Sequence, residues 1–161
     1  MRTTLLRKRT ALIVLAAAIA LCTTACFPDA APGEPANPYV RSVYQAINQD
    51  RANAGLPGLT HSPKLENLAG NWAWQMSVDN SLHHQDLSRL LYSSDYSHFS
   101  TLGENIIVGP GNMSAQALEA VWMNSAPHRA NILNGSFNVV GIGVFYGPDG
   151  RVWSVVDFGA I

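Results

Sequence analysis

Five histidines and one oddly placed carboxylate are where this chain could do acid–base or metal chemistry. The histidines are His61, His83, His84, His98 and His128. The carboxylate is Glu104, inside the apolar stretch TLGENIIVG at 101–109. In a strand, period two places Glu104 on the same face as Leu102 and Ile106. An unpaired carboxylate buried there costs on the order of several kcal/mol, so Glu104 needs a partner. His128 lies in NSAPHRANIL, in the first turn of a helix that Asn124 or Ser125 can cap. The positive end of that helix disfavours an imidazolium, and neutral imidazole is the form that ligates metal or acts as a base. His83 and His84 follow a helix, in SLHHQDL, where side chains can turn into a cleft. Two imidazoles and one carboxylate suit Zn²⁺ and leave a fourth position for water. The same groups without a metal make a hydrogen-bonded polar patch. There is no H-E-x-x-H, and the three side chains come from distant segments, so spacing alone favours the patch.

Neighbouring polar residues have plainer readings. Ser125 lies close to His128, but no G-x-S-x-G or S-x-x-K context marks it as a nucleophile, and it reads as a helix cap. Asn105 is expected to bond backbone in the cleft wall, and Asn131 to brace the segment holding Glu104. Arg129 and His98 read as surface residues, and His61 has no partner in view.

The elements that must position these groups follow from periodicity. Asn37 and Pro38 open a first helix carrying Val40, Val43, Ile47 and Ala54 on one face, ended by Gly55. Ser62 and Pro63 open a second, with Leu65, Leu68, Ala69, Trp72 and Met76 as its apolar stripe and Trp74 off it. It ends at Asn80, and YSSDYSHFS at 92–100 reads as a loop bordering a site. After the Glu104 strand, MSAQALEAVWMNS predicts a third helix with Leu118, Val121 and Trp122 inward. SAPHRANILNG predicts a short fourth that stops at Asn134–Gly135. FNVVGIGVFY and RVWSVVDF flank GPDG as a hairpin. Both strands are apolar on both faces, so helices should cover two sides, and Gly141 and Gly143 leave room for a close helix. The expected fold is α/β: a three-layer α/β/α sandwich around a small, mainly antiparallel sheet.

The chain has 161 residues, enough for one domain. A basic start, MRTTLLRKR, precedes the apolar ALIVLAAAIAL and small residues in CTTAC. That is the layout of a signal peptide over 1–25, and the apolar run is short for a membrane span. Acylation of Cys26 as a lipoprotein anchor is one expectation; free secretion is the other. A Pro-rich linker occupies 26–37 and the domain 38–161. Both cysteines, Cys22 and Cys26, belong to the leader region, so the domain has no internal disulfide. Four of the ten Lys and Arg also lie there, which leaves six against eleven Asp and Glu, a net −5. An acidic domain is a poor partner for nucleic acid.

GENI at 103–106, WMNSAPH and HRANIL, with INQDRANAGLPGL, LHHQDL and VGIGVFYGPDGRVWSVVDFG, resemble a bacterial CAP-superfamily domain. That is the family of cysteine-rich secretory proteins, antigen 5 and pathogenesis-related proteins, and the resemblance covers about residues 38–161. It implies the same sandwich and a cleft of two histidines and two acids able to hold a divalent ion. By motif the metal-site residues are His84, Glu104 and His128, with His83, Asn105 and Ser125 behind them. The family's second acid would follow Trp122, where Asn124 or Ser125 stands instead, which implies weak Zn²⁺ binding. Two function classes stay open. One is an exported module, extracellular or held at the membrane's outer face, that binds a lipid or other small hydrophobic ligand or engages the cell envelope. The other is a metal-dependent hydrolase of peptide or cell-wall material, in which Glu104 and His128 would be catalytic.

Overall fold

The computed structural model describes residues 31–161. The expected signal peptide 1–25, Cys26 and the first residues of the expected linker lie outside the described residues. Helix α1 spans Pro38–Asn53. Asn37 caps it by accepting from the Tyr39 and Val40 amides at 2.9 and 3.2 Å, and Pro38 occupies a first-turn position where its missing N–H costs nothing. Helix α2 runs Pro63–Asp79 behind the Ser62 cap and stops at Asn80, whose φ of 51° is left-handed. A short α3, Leu87–Leu91, follows the histidine pair. Helix α4 is Ala115–Asn124 and α5 is Ala126–Ile132. The strands are β1 Thr60–His61, β2 Thr101–Pro110, β3 Val139–Tyr146 and β4 Arg151–Ala160.

The sheet order is β1-β3-β4-β2. The β3–β4 hairpin is antiparallel, as is β4 with β2; the two-residue β1 lies parallel to β3. Strand β1 and helix α3 were not anticipated, because two and five residues are too few for a periodic signal.

Helices cover both faces, which makes the three-layer sandwich. On one side Val43, Ile47, Leu118 and Trp122 of α1 and α4 pack with Val140, Ile142, Val156 and Phe158 of the sheet. On the other, Ala69, Ala73 and Met76 of α2 meet Ile106, Trp153 and Val155. Helix α2 comes so close to β3 that a Cβ on Gly141 would lie 2.0 Å from the Glu66 amide nitrogen, and one on Gly143 2.1 Å from that of Gly70.

Two inward positions differ from the apolar pattern. Val121 was expected inward but is 46% exposed; the buried residue beside it on α4 is Glu119. Arg51 is fully buried at the end of the α1 stripe. Its guanidinium donates to the carbonyls of Pro57, Ile132, Asn134 and Phe137. It thereby satisfies carbonyls at the end of α5 that the helix cannot and ties α1 to the α5–β3 turn.

Candidate functional site

Glu104 sits in β2 opposite Asp157 of β4, on the face that α2 covers. Both carboxylates are buried, 4% and 1% exposed. Glu104 Oε1 lies 2.6 Å from His84 Nδ1 and accepts from the Gln85 amide at 3.1 Å. Its other oxygen accepts from Gln85 Nε2 at 2.7 Å. The same Gln85 side-chain nitrogen donates to both Asp157 oxygens, at 3.1 and 3.2 Å. The segment between α2 and α3 thus delivers three hydrogen-bonding groups to two acids. Burial and the neighbouring Glu104 charge push the Asp157 carboxyl well above the usual carboxylate range, with Gln85 opposing. The protonated acid is therefore the form the fold favours there.

Helix α5 is bound to β2 through side-chain carboxamides. Asn105, fully buried, points to the other face of β2 and donates to the His128 carbonyl at 3.0 Å. Asn131 donates to the Glu104 carbonyl at 3.0 Å and to Asn105 Oδ1 at 2.9 Å. This brace fixes α5 against β2. His128 Nδ1 is buried without a hydrogen-bond partner among the described residues. Burial first, and then the charge of nearby His84, lower the His128 pKa. His84 faces solvent, with its side chain 59% exposed.

His84 and Glu104 meet directly, and His128 lies within electrostatic reach of His84. His83 stands behind: its Nδ1 faces the Ser81 carbonyl at 3.1 Å, and its own carbonyl accepts from Trp72 Nε1 at 2.9 Å. Ser125 is the residue at the α5 N-cap but makes no side-chain capping bond. Arg129 is exposed and donates to the Met123 carbonyl at 2.8 Å. His98 is exposed as expected. His61, expected without a partner, has one: its Nε2 lies 2.5 Å from Glu66 Oε2.

As metal ligands the three residues are arranged differently from the expectation. Among the described residues no group of three or more His, Cys, Asp or Glu side chains is placed to hold a metal ion. The reason is visible in the bonding. Both Glu104 oxygens are engaged by His84 and Gln85, so Glu104 and His84 face each other rather than a shared point. The second buried acid, Asp157, also escaped sequence reading, as did Gln85. The signal for Asp157 was the one that exposed Glu104: a carboxylate in an apolar strand, here SVVDFG.

Beside this cluster opens a pocket of about 320 Å³, lined by Trp72, Gln85, Asp86, Arg89, Leu90 and Ser93. Its walls are largely apolar, and Gln85 is shared with the acid pair.

The three-layer sandwich, with His84, Glu104 and Asp157 gathered at its β2–β4 side, defines the class of domain. Residues 44–158 match the model of the cysteine-rich secretory protein family, CAP, and the chain belongs to that family. The uncharacterized protein YkwD of Bacillus subtilis is 30% identical over 123 residues, 72% of this chain and 45% of its own length. The chain thus spans less than half of that relative. An outer surface protein of Borrelia burgdorferi superposes with a TM-score of 0.65 at 22% identity, covering 73% of this chain and 89% of that one. An extracellular protein with an SCP domain from Bacillus anthracis gives 0.60 at 23%, covering 76% and 40%. NaASP2, solved with Zn²⁺, gives 0.54 at 13%, covering 78% and 83%. At these identities the solved structures speak to the fold alone. No helix among the described residues is long and apolar enough to cross a membrane.

Proposed function

We propose that this domain is an exported binding module whose His84–Glu104–His128 cleft and adjoining pocket take a small amphiphile. The observation that carries the reading is the junction of the two at Gln85, which lines the apolar pocket and bonds both buried acids. A tail would lie against Trp72 and Leu90. A polar head would meet Arg89 at the rim and the exposed imidazole of His84. Pockets that bind small molecules have this make-up, apolar walls with a few oriented polar groups. The lipid or hydrophobic ligand, the engagement with the cell envelope and the export signal of residues 1–25 with Cys26 all belong to this reading.

Zn²⁺ enters it as a weak ligand. His84 and His128 are the imidazoles that would hold it. With Glu104 bonded to His84 and Gln85 the residues do not form a three-donor set, so no chemical step is assigned to a metal.

A second reading, a hydrolase, draws on one feature. A buried carboxylate bonded to Nδ1 of an exposed imidazole orients its Nε2 outward, as a general base requires. Binding is favoured because no activated nucleophile accompanies that pair among the described residues.

Calorimetry with octanoate tests the proposal. Wild type should bind, and Leu90→Trp, which fills the pocket, should not. Equal affinity in both proteins would remove the pocket from the reading. Release of product from a peptide or cell-wall substrate, lost in Glu104→Gln, would replace binding by hydrolysis.

A further inference from the structure

At the sheet edge opposite the histidine cleft, β1 ends after two residues while β3 runs on. The register shows which backbone groups this leaves open. Thr60 pairs with Val139 and His61 with Val140. The Thr60 and Ser62 amides donate to the carbonyls of Asn138 and Val140. The even-numbered residues of β3 therefore turn their N–H and C=O towards β1, and the odd-numbered ones towards β4. Past His61 the chain turns into α2. The N–H and C=O of Ile142 and Val144 then face outward beyond the end of β1, and no other group among the described residues bonds them.

Ile142 is 1% exposed and Val144 half-buried. The edge forms the floor of a cleft of about 240 Å³ between the start of α1 and the first half of α2. Its walls carry carboxamides. Asn37 has its oxygen engaged by two amides, which leaves its NH₂ to donate. Asn67 and Asn71, one turn apart on α2, are exposed, and their side chains make no hydrogen bond within the described protein. Glu66 completes the polar lining.

A separate observation concerns Gly70, in the middle of α2 and also lining the cleft. Glycine inside a helix is unfavourable, and close packing usually explains it. Here it does not: a Cβ on Gly70 would meet nothing within 4 Å. Any larger residue would instead reduce the space over the β3 edge.

We propose that this cleft binds a short extended peptide, which adds as a strand beside Ile142–Val144 in continuation of β1. Buried backbone donors and acceptors require partners. A strand edge supplies them at the repeat of a peptide main chain, about 7 Å for every second residue. Strand addition is an established way for a sheet edge to recognise a peptide, and the carboxamides offer further donors and acceptors to the peptide's outer side. A sugar could use the asparagines but has no group repeating at the strand spacing. The site is separate from the His84 cleft, which lies at the β2 edge.

The test is an amide NMR titration of the ¹⁵N-labelled protein with N-acetyl-trialanine amide, and with glucose as the comparison. The peptide should shift the Ile142 and Val144 amides and slow their hydrogen exchange. Gly70→Leu should weaken this binding by about tenfold or more, the loss expected when two main-chain hydrogen bonds are blocked, with the rest of the spectrum unchanged. The double variant Asn67→Ala/Asn71→Ala, which leaves the helix backbone alone, should weaken it as well. The proposal is overturned if the peptide leaves the Ile142 and Val144 amides unmoved, if both variants bind as wild type does, or if glucose moves those amides as strongly.

Discussion

Glu104 is tolerable in a buried strand because three donors converge on it, all of them from His84 and Gln85. That arrangement sets the neighbouring titrations. His128 is neutral at lower pH than an ordinary histidine because it is buried and because His84 adds positive charge nearby. His84→Ala removes the second cause, so the His128 ring should titrate at higher pH in that variant when followed by proton NMR. An unchanged His128 titration would show that the two rings do not share a cleft. The fold dependence has a definite sign: a histidine whose pKa is lowered by folding stabilises the fold above its unfolded value near ~6.5 and loses that contribution as pH falls below it. Arg51 makes a different kind of residue-scale prediction. Arg51→Met keeps the stem but leaves the carbonyls of Pro57, Ile132, Asn134 and Phe137 without their donor. It should cost roughly 3 kcal/mol or more in urea unfolding.

The elements themselves show what a sequence reveals and what it hides. Helices α1 and α2 were legible because their caps, Asn37–Pro38 and Ser62–Pro63, coincide with apolar stripes of helical period. The β3–β4 hairpin was legible from GPDG between two apolar runs, and the close approach of α2 from Gly141 and Gly143. Strand β1 was hidden because pairing over two residues leaves no pattern, and the open β3 edge went with it. Glu119 was hidden for a different reason: it sits at helical spacing from Ala115 and Trp122 in the buried stripe, but a carboxylate there is not read as core. The pairing of Glu104 with His84 was legible from the need of a buried carboxylate for a partner, but Gln85, which joins Glu104 to Asp157, carries no signal in its surroundings. The helix–sheet approach is testable alone. Gly143→Ala puts a methyl 2.1 Å from the α2 backbone, which cannot move as a side-chain tip would. Thermal unfolding should show a loss at or above the roughly 1–3 kcal/mol of ordinary overpacking. A neutral result would mean that α2 sits farther from β3.

At the scale of the whole molecule, buried acids decide how stability follows pH. Glu119 on α4 is 6% exposed, and burial first, then a hydrogen bond and repulsion from Asp50 on α1, raise its pKa to about 8. Asp157 is raised as well. An acid whose pKa rises on folding binds its proton more readily in the folded state. Its contribution is therefore full below the unfolded carboxylate value and declines as pH climbs towards the folded one. Between about pH 4.5 and 8 the Glu119 contribution should fall by roughly 1.4 kcal/mol per unit at most, against the opposite trend of His128 at the acid end. Urea midpoints of wild type and Glu119→Gln should diverge as pH rises, the variant losing less; parallel curves would show that Glu119 is not held protonated. The α1–α4 layer that this pair joins lies across the sheet from the carboxylates of the histidine cleft, so the two can be probed separately. The proposed function requires the histidine cluster and its pocket to form one binding site. The most direct measurement is a single NMR titration with octanoate that follows the His84 and His128 ring signals and the Trp72 indole N–H together. All three should shift with one shared affinity while the indole of Trp153, buried under α2, stays still. Shifts confined to exposed residues such as Trp74, or His84 and Trp72 responding with different affinities, would contradict the proposed function.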